Sequence, residues 1–591
     1  MRPLSTRWGR ALDAGRVKPE YPRPNLVRDS YLNLNGPWAF CVSGAPECRT
    51  FDRTILVPFP PEAPLSGVGR VTQPDEYLHY QRSFQLPEGF DRGRVLLHFG
   101  AVDQECEVFV NDVSVGSHRG GYNPFTLEIT QALRPGGNAL RLRVRDRTER
   151  APYARGKQKL ARYGKYASIF YTPCSGIWKT VWLESVPERY ITGLRFTPLC
   201  GASQVRLEVC CSAPGTARVC ISFEGREVWH GDVEAGIPAC ADLPDFRYWS
   251  PERPDLYDVT VEFGEDRVTS YFGMRCFERK PDRNGVPRFY LNGEPFFFNG
   301  LLDQGYWPES LLTAPSDAAL EYDIRTLKAM GFNTLRMHVK VEEERFYHLC
   351  DRIGMVVWQD MPNGGGEYNM FFVTELPNAY DWFARGVEDS RYDWFMREDT
   401  DGREQFLREL DEMVSLLYNY PCIALWTPFN EGWGQFDAQK ATRRILDIDR
   451  TRLINEACGW FDQGGGDLHS IHNYTYKLKT SPKPPRAVAL TEYGGYSWAV
   501  EGHTPCEKAF GYQAYGSREE LTRNYRRLWE EEIYPNLESG LSAAIYTQVS
   551  DIEEEINGFM TYDREVVKLD ASVVCELNRR LYEAFAALSR S

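Results

Sequence analysis

The feature that most constrains how this chain folds is a change of hydrophobic rhythm near residue 280. Before it, short runs alternate apolar and polar residues and are broken by Gly, Pro and Asp, as in Arg94-Val-Leu-Leu-His-Phe99 and Glu105-Cys-Glu-Val-Phe-Val110, which Asn111-Asp112 closes. A period of two puts alternate side chains on opposite faces, so such runs predict half-buried strands and their density predicts β-sandwiches. After it, amphipathic helices alternate with short apolar strands. Ser316 can cap a helix whose apolar positions Leu320, Ile324 and Leu327 share one face, and Gly331 can end it. Phe346, Leu349, Cys350 and Ile353 repeat the pattern before Gly354, as do Phe406, Leu410, Met413, Val414 and Leu417.

A chain of 591 residues exceeds the ~250–300 at which one core stops growing, so several domains are expected. Residues 1–187 predict a jelly-roll-like β-sandwich. Residues 188–280, with Val205–Val209, Ala217–Ser222 and Asp258–Phe263 as strands and no convincing helix, have the length of an immunoglobulin-like β-sandwich. Residues 281–591 offer candidate strands at Phe296–Leu301, Asn333–Met337, Met355–Trp358, Ile423–Trp426, Leu453–Asn455, Asp467–Ile471, Ala487–Leu490 and Ala543–Gln548, the count of a (β/α)8 TIM barrel. A doubly wound sheet is the alternative.

Several function classes are excluded early. A net charge of −14 argues against a phosphate-backbone partner, which needs a concentrated basic surface. No segment reaches ~18 consecutive apolar residues, and the first residues lack the apolar core of a secretory signal, so neither membrane nor export is expected. The fifteen cysteines are odd in number, scattered and without a C-x-x-C pair, which predicts reduced thiols in a cytoplasmic protein and no metal site built on them. His469 and His472 lie three apart, but no H-E-x-x-H accompanies them, so no metal and no cofactor are expected. The many aromatics, 15 Trp, 33 Tyr and 32 Phe, suit sugar stacking, although most such rings serve as core.

In a TIM barrel the chemistry gathers at the C-terminal ends of the strands. The polar residues there are Asp303, Arg336, His338, Gln359, Asp360, Asn430, Glu431, His469, His472, Glu492, Gln548 and Asp551. Among them are two glutamates just past apolar strands, in Cys422-Ile-Ala-Leu-Trp-Thr-Pro-Phe-Asn-Glu431 and Ala487-Val-Ala-Leu-Thr-Glu492. One strand-end Glu is most often a solvated or salt-bridged group. Two of them, on the fourth and seventh predicted strands, offer the paired carboxyls that glycoside hydrolysis requires.

At these residues the chain resembles glycoside hydrolase family 2. Trp426-Thr-Pro-Phe-Asn-Glu431 is similar to that family's acid/base motif, Thr491-Glu492-Tyr-Gly-Gly to its nucleophile motif, Asn333-Thr-Leu-Arg336-Met-His338 to its second-strand segment and Val357-Trp-Gln-Asp-Met-Pro362 to its third. Leu34-Asn-Gly-Pro-Trp, Gly121-Tyr-Asn-Pro-Phe125 and Gly176-Ile-Trp-Lys-Thr-Val-Trp182 resemble its sugar-binding sandwich, and Trp249-Ser-Pro-Glu-Arg-Pro-Asp-Leu-Tyr257 with Phe272-Gly-Met-Arg275 its immunoglobulin-like domain. The resemblance implies a retaining, exo-acting β-glycosidase with Glu431 as acid/base and Glu492 as nucleophile. It implies further that Asn430 binds the sugar 2-hydroxyl and that Arg336 keeps Glu492 ionised.

Candidate substrate-binding residues beside them are His338, Asp360, His472, Tyr474, Trp433, Asp303 and Gln548, with Trp498 a further stacking candidate; each is set against an ordinary scaffolding role. The partner expected is a carbohydrate. Members of the family are often oligomers, and a homo-oligomer stays open here because no interface is legible.

The sugar is expected to be neutral, with galactose first as the family's commonest activity. The family's glucuronidases place an Asn and a Lys shortly before a Gly-x-x-T-x-D-R segment. Here Gly558-Phe-Met-Thr-Tyr-Asp-Arg564 follows Glu553-Glu-Glu-Ile-Asn557, which has no Lys. β-Glucuronidase and β-mannosidase or β-glucosidase activities remain alternatives, and a non-catalytic carbohydrate-binding protein is the alternative of another class.

Overall fold

The computed structural model describes residues 4–48, 50–160, 167–384 and 386–590. The first body packs a six-stranded antiparallel sheet against a four-stranded one. Its strand Gly137–Arg145 shows the cause: Leu140, Leu142 and Val144 alternate inward and are wholly buried, while its backbone pairs with Tyr77–Gln85 on one side and Glu105–Val110 on the other. Trp38, Phe40, Tyr80, Leu97, Val108 and Leu183 fill the core between the sheets. The second body is a sandwich of three and four strands, running from Ile191–Leu199 to Asp266–Phe272, with Val205, Leu207, Val219, Ile221, Val259 and Val261 inside. A ribbon of Phe277–Pro281 and Pro287–Leu291 leads from it into the barrel.

Eight parallel strands form the barrel: β1 (Phe298–Asp303), β2 (Thr334–Met337), β3 (Val356–Asp360), β4 (Ile423–Thr427), β5 (Leu453–Ile454), β6 (Leu468–Asn473), β7 (Ala487–Gly494) and β8 (Leu541–Thr547). They lie in the order 5-4-3-2-1-8-7-6. Between β5 and β6 no ladder runs among the described residues. That seam is closed instead by Asp467, whose backbone N–H donates to Ile454 O at 2.7 Å and whose carboxylate accepts from Ile454 N at 2.9 Å. Strands covered on both faces need unbroken apolar runs, and every residue of β4 is buried.

Each expected strand is present, so the barrel, not the doubly wound sheet, is the fold. Ser316 caps α1 (Asp317–Ala329), its side chain accepting from Ala319 N, and Leu320, Ile324 and Leu327 face the core. α2 (Glu344–Ile353) stops at Gly354, whose φ of 82° is a left-handed turn that costs glycine little. One cysteine expectation fails: Cys41 and Cys48 are disulfide-bonded, because the loop leaving strand Gly36–Ser43 folds back on it. The other thirteen cysteines are free. Among the described residues no helix is long and apolar enough to cross a membrane.

Candidate active site

The floor of the barrel mouth is organised by one cation. Arg336 projects from β2 with its side chain wholly buried, and each arm of its guanidinium has an acceptor. Nε donates to both oxygens of Asp360 on β3, at 3.2 and 3.0 Å. Nη1 donates to Thr491 O at 3.1 Å and to Glu492 Oε1 at 3.0 Å on β7, and Nη2 to Asn430 Oδ1 at 2.8 Å beyond β4. A planar guanidinium presents its donors in a fixed fork, so this contact set fixes the relative positions of the ends of four strands.

Glu492 is therefore a held anion. Burial alone would raise its carboxyl, but the charges of His472 and Arg336 outweigh burial and keep it below the usual carboxylate range. Tyr474 OH adds a hydrogen bond to Glu492 Oε2 at 2.7 Å. The strand helps to aim the group. β7 extends past the expected Leu490 to Gly494, so Glu492 lies inside it, and the register with β8 shifts between Leu490 and Tyr493. β6 shifts likewise between Ile471 and His472, which leaves His472 opposite Glu492. Such bulges redirect a side chain without ending the strand.

Glu431 faces this anion from the far side of the mouth. It sits at φ 54°, followed by Gly432 at 70°, so the chain turns sharply as it leaves β4. A non-glycine residue in the left-handed region costs about 1–3 kcal/mol and needs surroundings that enforce it. Here Glu431 N donates to Cys458 O at 2.9 Å, and Trp433 N to Asn430 O at 3.0 Å.

His472 joins the two carboxylates. Its Nδ1 donates to Glu431 Oε1 at 2.8 Å, while its Nε2 lies 3.2 Å from Cys458 Sγ and 3.6 Å from Glu492 Oε1. Burial would lower the imidazole, but Glu492, Cys458 and Glu431 together push it up to about 10. One oxygen of each glutamate and one ring nitrogen of His472 lie within 4.8 Å of one another. These three are also the one group among the described residues close enough to hold a metal ion. His469 stands apart from it, bonded to Asp462 at 3.3 Å.

The other expected residues divide by position. Asn430 lies beside Glu431, and its Nδ2 is buried without a hydrogen-bond partner among the described residues. Tyr474 stacks on Tyr512 at 3.8 Å and 4°. Gln548 bridges the rim, accepting from Gln304 at 2.9 Å and donating to Asn557 at 2.8 Å. Asp360 lies beneath the floor, both oxygens occupied by Arg336 and one also by His338 Nδ1 at 3.0 Å. Asp303 accepts from Gly305 N at 2.9 Å and is 7% exposed. Trp433 is 1% exposed and packed by Phe170 and Tyr368, which leaves its rings little access as a stacking platform. Trp498 packs at the edge of the main core.

Sequence reasoning overlooked the part of the rim that comes from the first sandwich. Tyr171 OH donates to Glu555 and accepts from Gln304 Nε2 at 2.6 Å, and Lys157 Nζ lies 4.6 Å from the Trp433 ring centroid. Cys458 also escaped notice, because a lone buried thiol carries no spacing signal. A cavity of about 280 Å³ opens beside the β5–β6 seam, lined by Trp460, His469, His472, Asn473 and Lys477, and shares His472 with the carboxylate pair.

A parallel barrel with two opposed carboxylates at the C-terminal ends of its fourth and seventh strands, preceded by two sandwiches, defines the class of multidomain glycoside hydrolases. Family models agree along the chain: the sugar binding domain of glycosyl hydrolases family 2 matches residues 67–187, the family's middle region 201–275 and its TIM barrel domain 285–477. The chain belongs to glycoside hydrolase family 2. Glu431 falls within the matched barrel stretch, and Glu492 beyond it.

A β-galactosidase of Thermoanaerobacter pseudethanolicus is 22% identical over 509 residues, which cover 80% of this chain and 62% of that protein. A β-glucuronidase of Bacteroides fragilis is 25% identical over 433 residues, covering 67% of this chain and 56% of that protein. The matches thus span about three fifths of these relatives. Among solved structures, a β-glucuronidase of Dictyoglomus thermophilum superposes with TM-score 0.73 at 16% identity over 95% of this chain and 98% of the other. A family 2 β-galacturonidase of Eisenbergiella tayi does so with TM-score 0.69 at 18% identity over 96% and 98%. At such identities the superpositions speak for the fold.

Proposed function

We propose that this chain is a retaining, exo-acting β-glycosidase that removes a terminal neutral β-linked sugar, a β-galactoside first, by double displacement. The observation that carries the reading is the convergence of Glu431 and Glu492 on one buried mouth, with an oxygen of each inside a 4.8 Å cluster. Retaining enzymes hold their two carboxyl groups ~5–5.5 Å apart, whereas inverting enzymes leave ~6.5–9.5 Å for a water.

The roles follow from the environments. Glu492, ionised by its cationic neighbours, attacks the anomeric carbon; the glycosidic C–O bond breaks, and the leaving oxygen takes the proton of Glu431. A water then gives a proton to the Glu431 carboxylate and attacks the same carbon, which expels Glu492 and restores the β configuration. The unpartnered Asn430 Nδ2 supports a hydrogen bond to the sugar 2-hydroxyl, which strengthens as positive charge grows on the ring.

The neutral-sugar reading is supported by Asn557, which is wholly buried, holds Gln548 and Glu555, and brings no cation to the loop before Gly558. Relatives bearing both β-galactosidase and β-glucuronidase names keep the uronide reading as the second one. A cytoplasmic setting is part of the proposal and is supported by the thirteen free cysteines, with the Cys41–Cys48 bond as the observation against it.

The test is a pair of substitutions. Glu431→Gln and Glu492→Gln should each lose at least ~10³ in turnover of an aryl β-glycoside while keeping the native circular dichroism spectrum. The first product seen by NMR should be the β anomer. Near-normal activity in either variant, or an early α anomer, overturns the assignment.

A further inference from the structure

An arm of the first sandwich reaches over the barrel mouth, and its construction shows what it is for. Arg155 N and Gly156 N both donate to Asn363 O, at 2.7 and 3.0 Å, and Arg155 Nη2 donates to Gly366 O at 2.9 Å, so the arm is pinned to the loop after β3. Gly156 adopts φ +60°, and a Cβ there would stand 2.6 Å from Val339 O, just past β2. Only glycine lets the backbone approach so closely. On the other side Gln158 donates to Asp103 at 2.8 Å and accepts from Cys174 N at 2.6 Å. Between these anchors the arm presents a single side chain to the mouth, Lys157.

The Lys157 ammonium lies 4.6 Å from the centroid of Trp433, two residues after Glu431, and makes no hydrogen bond or ion pair among the described residues. The arm also meets the rim through its backbone, where Tyr171 N donates to Lys157 O at 3.0 Å. Glu555 is the anion bonded to that tyrosine. It is 3% exposed, accepts from Tyr171 OH and from Asn557 Nδ2 at 2.9 Å, and no direct ion pair joins it to Lys157. Its charge is felt in turn by Tyr512, whose ring stacks on that of Tyr474, the tyrosine bonded to Glu492. Tyr171 thus ties the arm that carries an ammonium with no polar partner to a buried carboxylate.

We propose that Lys157 and Glu555, contributed by two different domains, are the specificity-determining pair of this pocket and grip one hydroxyl of a neutral terminal sugar between a cation and an anion. The chemistry selects the ligand. A hydroxyl both accepts and donates, so it accepts from the Lys157 ammonium and donates to the Glu555 carboxylate at once. A sugar carboxylate only accepts; it would satisfy Lys157 but set two anions together in a desolvated wall, where repulsion is weakly screened. Such a pair would favour a neutral sugar over a uronide although the pocket holds a lysine.

This inference rests on the glycosidase reading of the same site and is tested apart from it. Specificity constants are measured on an aryl β-galactoside and an aryl β-glucuronide for the native chain, Lys157→Gln and Glu555→Gln, alongside Glu431→Gln as the catalytic control. Lys157→Gln should lose about tenfold or more in kcat/KM on the neutral substrate, chiefly through KM. Glu555→Gln, which leaves Lys157 uncompensated, should move the glucuronide-to-galactoside ratio toward the glucuronide by at least about tenfold, a change that a purely structural role for Glu555 would not produce.

An unchanged ratio in Glu555→Gln, or a native chain that prefers the glucuronide and loses it in Lys157→Gln, overturns the pair. An active Glu431→Gln overturns the catalytic assignment instead. Should neither substrate turn over, titration calorimetry with free galactose and free glucuronate reads the same selection as binding. Glucuronate bound more tightly than galactose by the native chain, or no gain for glucuronate in Glu555→Gln, counts against the proposal.

Discussion

The floor and the rim of the mouth are built on opposite principles. The floor, with Arg336, Asp360, Asn430 and Glu492, comes from neighbouring strands of one sheet, and the Arg336 guanidinium has an acceptor on each arm. The rim is assembled from far-apart segments: Lys157 and Tyr171 from the first sandwich, Gln304 after β1, Tyr512 and Glu555 from long loops. It keeps unspent hydrogen-bonding capacity, including Gln304 Oε1 and Tyr306 OH. A floor tied together by Arg336 fixes the reacting groups and leaves one free donor, Asn430 Nδ2, whereas the rim leaves several donors and acceptors for a ligand. The contrast predicts that floor substitutions cost turnover and stability together, while rim substitutions alter which sugar is held.

The sharpest way to break the comparison is Arg336→Met. It removes the one cation between Asp360 and Glu492 and leaves two buried carboxylates facing each other. Breaking a buried ion pair from one side costs about 3–5 kcal/mol, so a clear fall in the urea midpoint should accompany loss of activity. A variant as stable as the native chain would show that the floor is not the keystone described.

His472→Asn comes next, because this imidazole touches both glutamates and titrates near neutrality when free. In the fold it is raised above its ordinary value near ~6.5, so its contribution to stability is complete below that value and is lost as pH rises through the folded one. The titratable groups facing it are Glu431, Glu492 and Cys458. The variant should lack this alkaline loss of stability. Urea midpoints of the two chains measured across the alkaline range read the difference. A variant that loses stability at high pH as the native chain does removes His472 from this role.

Gly156→Ala tests the rim with a smaller expected effect. The substituted arm must adopt φ +60° with a side chain and yield at Val339 O, which costs about 1–2 kcal/mol of local strain. KM for the neutral glycoside should rise several-fold with kcat nearly constant. An equal fall in kcat would mean that the arm belongs to the catalytic floor.

How much of this was legible in the sequence follows the same division. All eight barrel strands could be read, because a parallel strand buried on both faces is an apolar run, and the residue that ends it points into the mouth. That logic singled out Arg336, Asn430, Glu431, His472 and Glu492, which the fold gathers at one mouth. It misjudged where β7 ends, since a bulge keeps Glu492 inside the strand, and hydrophobic pattern carries no sign of a bulge. It could not find Lys157 or Glu555. Arg155-Gly-Lys157-Gln has no period, and nearly four hundred residues separate the two, so only tertiary folding brings both to Tyr171. The burial of Trp433 was hidden for a related reason: the aromatics that cover it, Phe170 and Tyr368, come from the first sandwich and from the loop after β3.

The smallest expected effect lies where floor and rim meet. Tyr512 is 37% exposed, yet its ring lies flat on Tyr474 at 3.8 Å, and Tyr474 OH is shared between Glu492 Oε2 at 2.7 Å and Thr547 Oγ1 at 2.9 Å. The stack therefore restrains the hydroxyl that helps to keep the nucleophile ionised. Aromatic pairs contribute about 0.5–1.5 kcal/mol beyond area burial, so Tyr512→Leu should let Tyr474 swing and lower kcat by roughly three- to tenfold. Tyr512→Phe keeps the ring and should keep most of kcat, which separates stacking from any role of the Tyr512 hydroxyl. If the phenylalanine variant falls as far as the leucine one, Tyr512 acts through its own oxygen, as a rim residue offering a donor to the sugar, and the boundary between floor and rim moves inward by one ring.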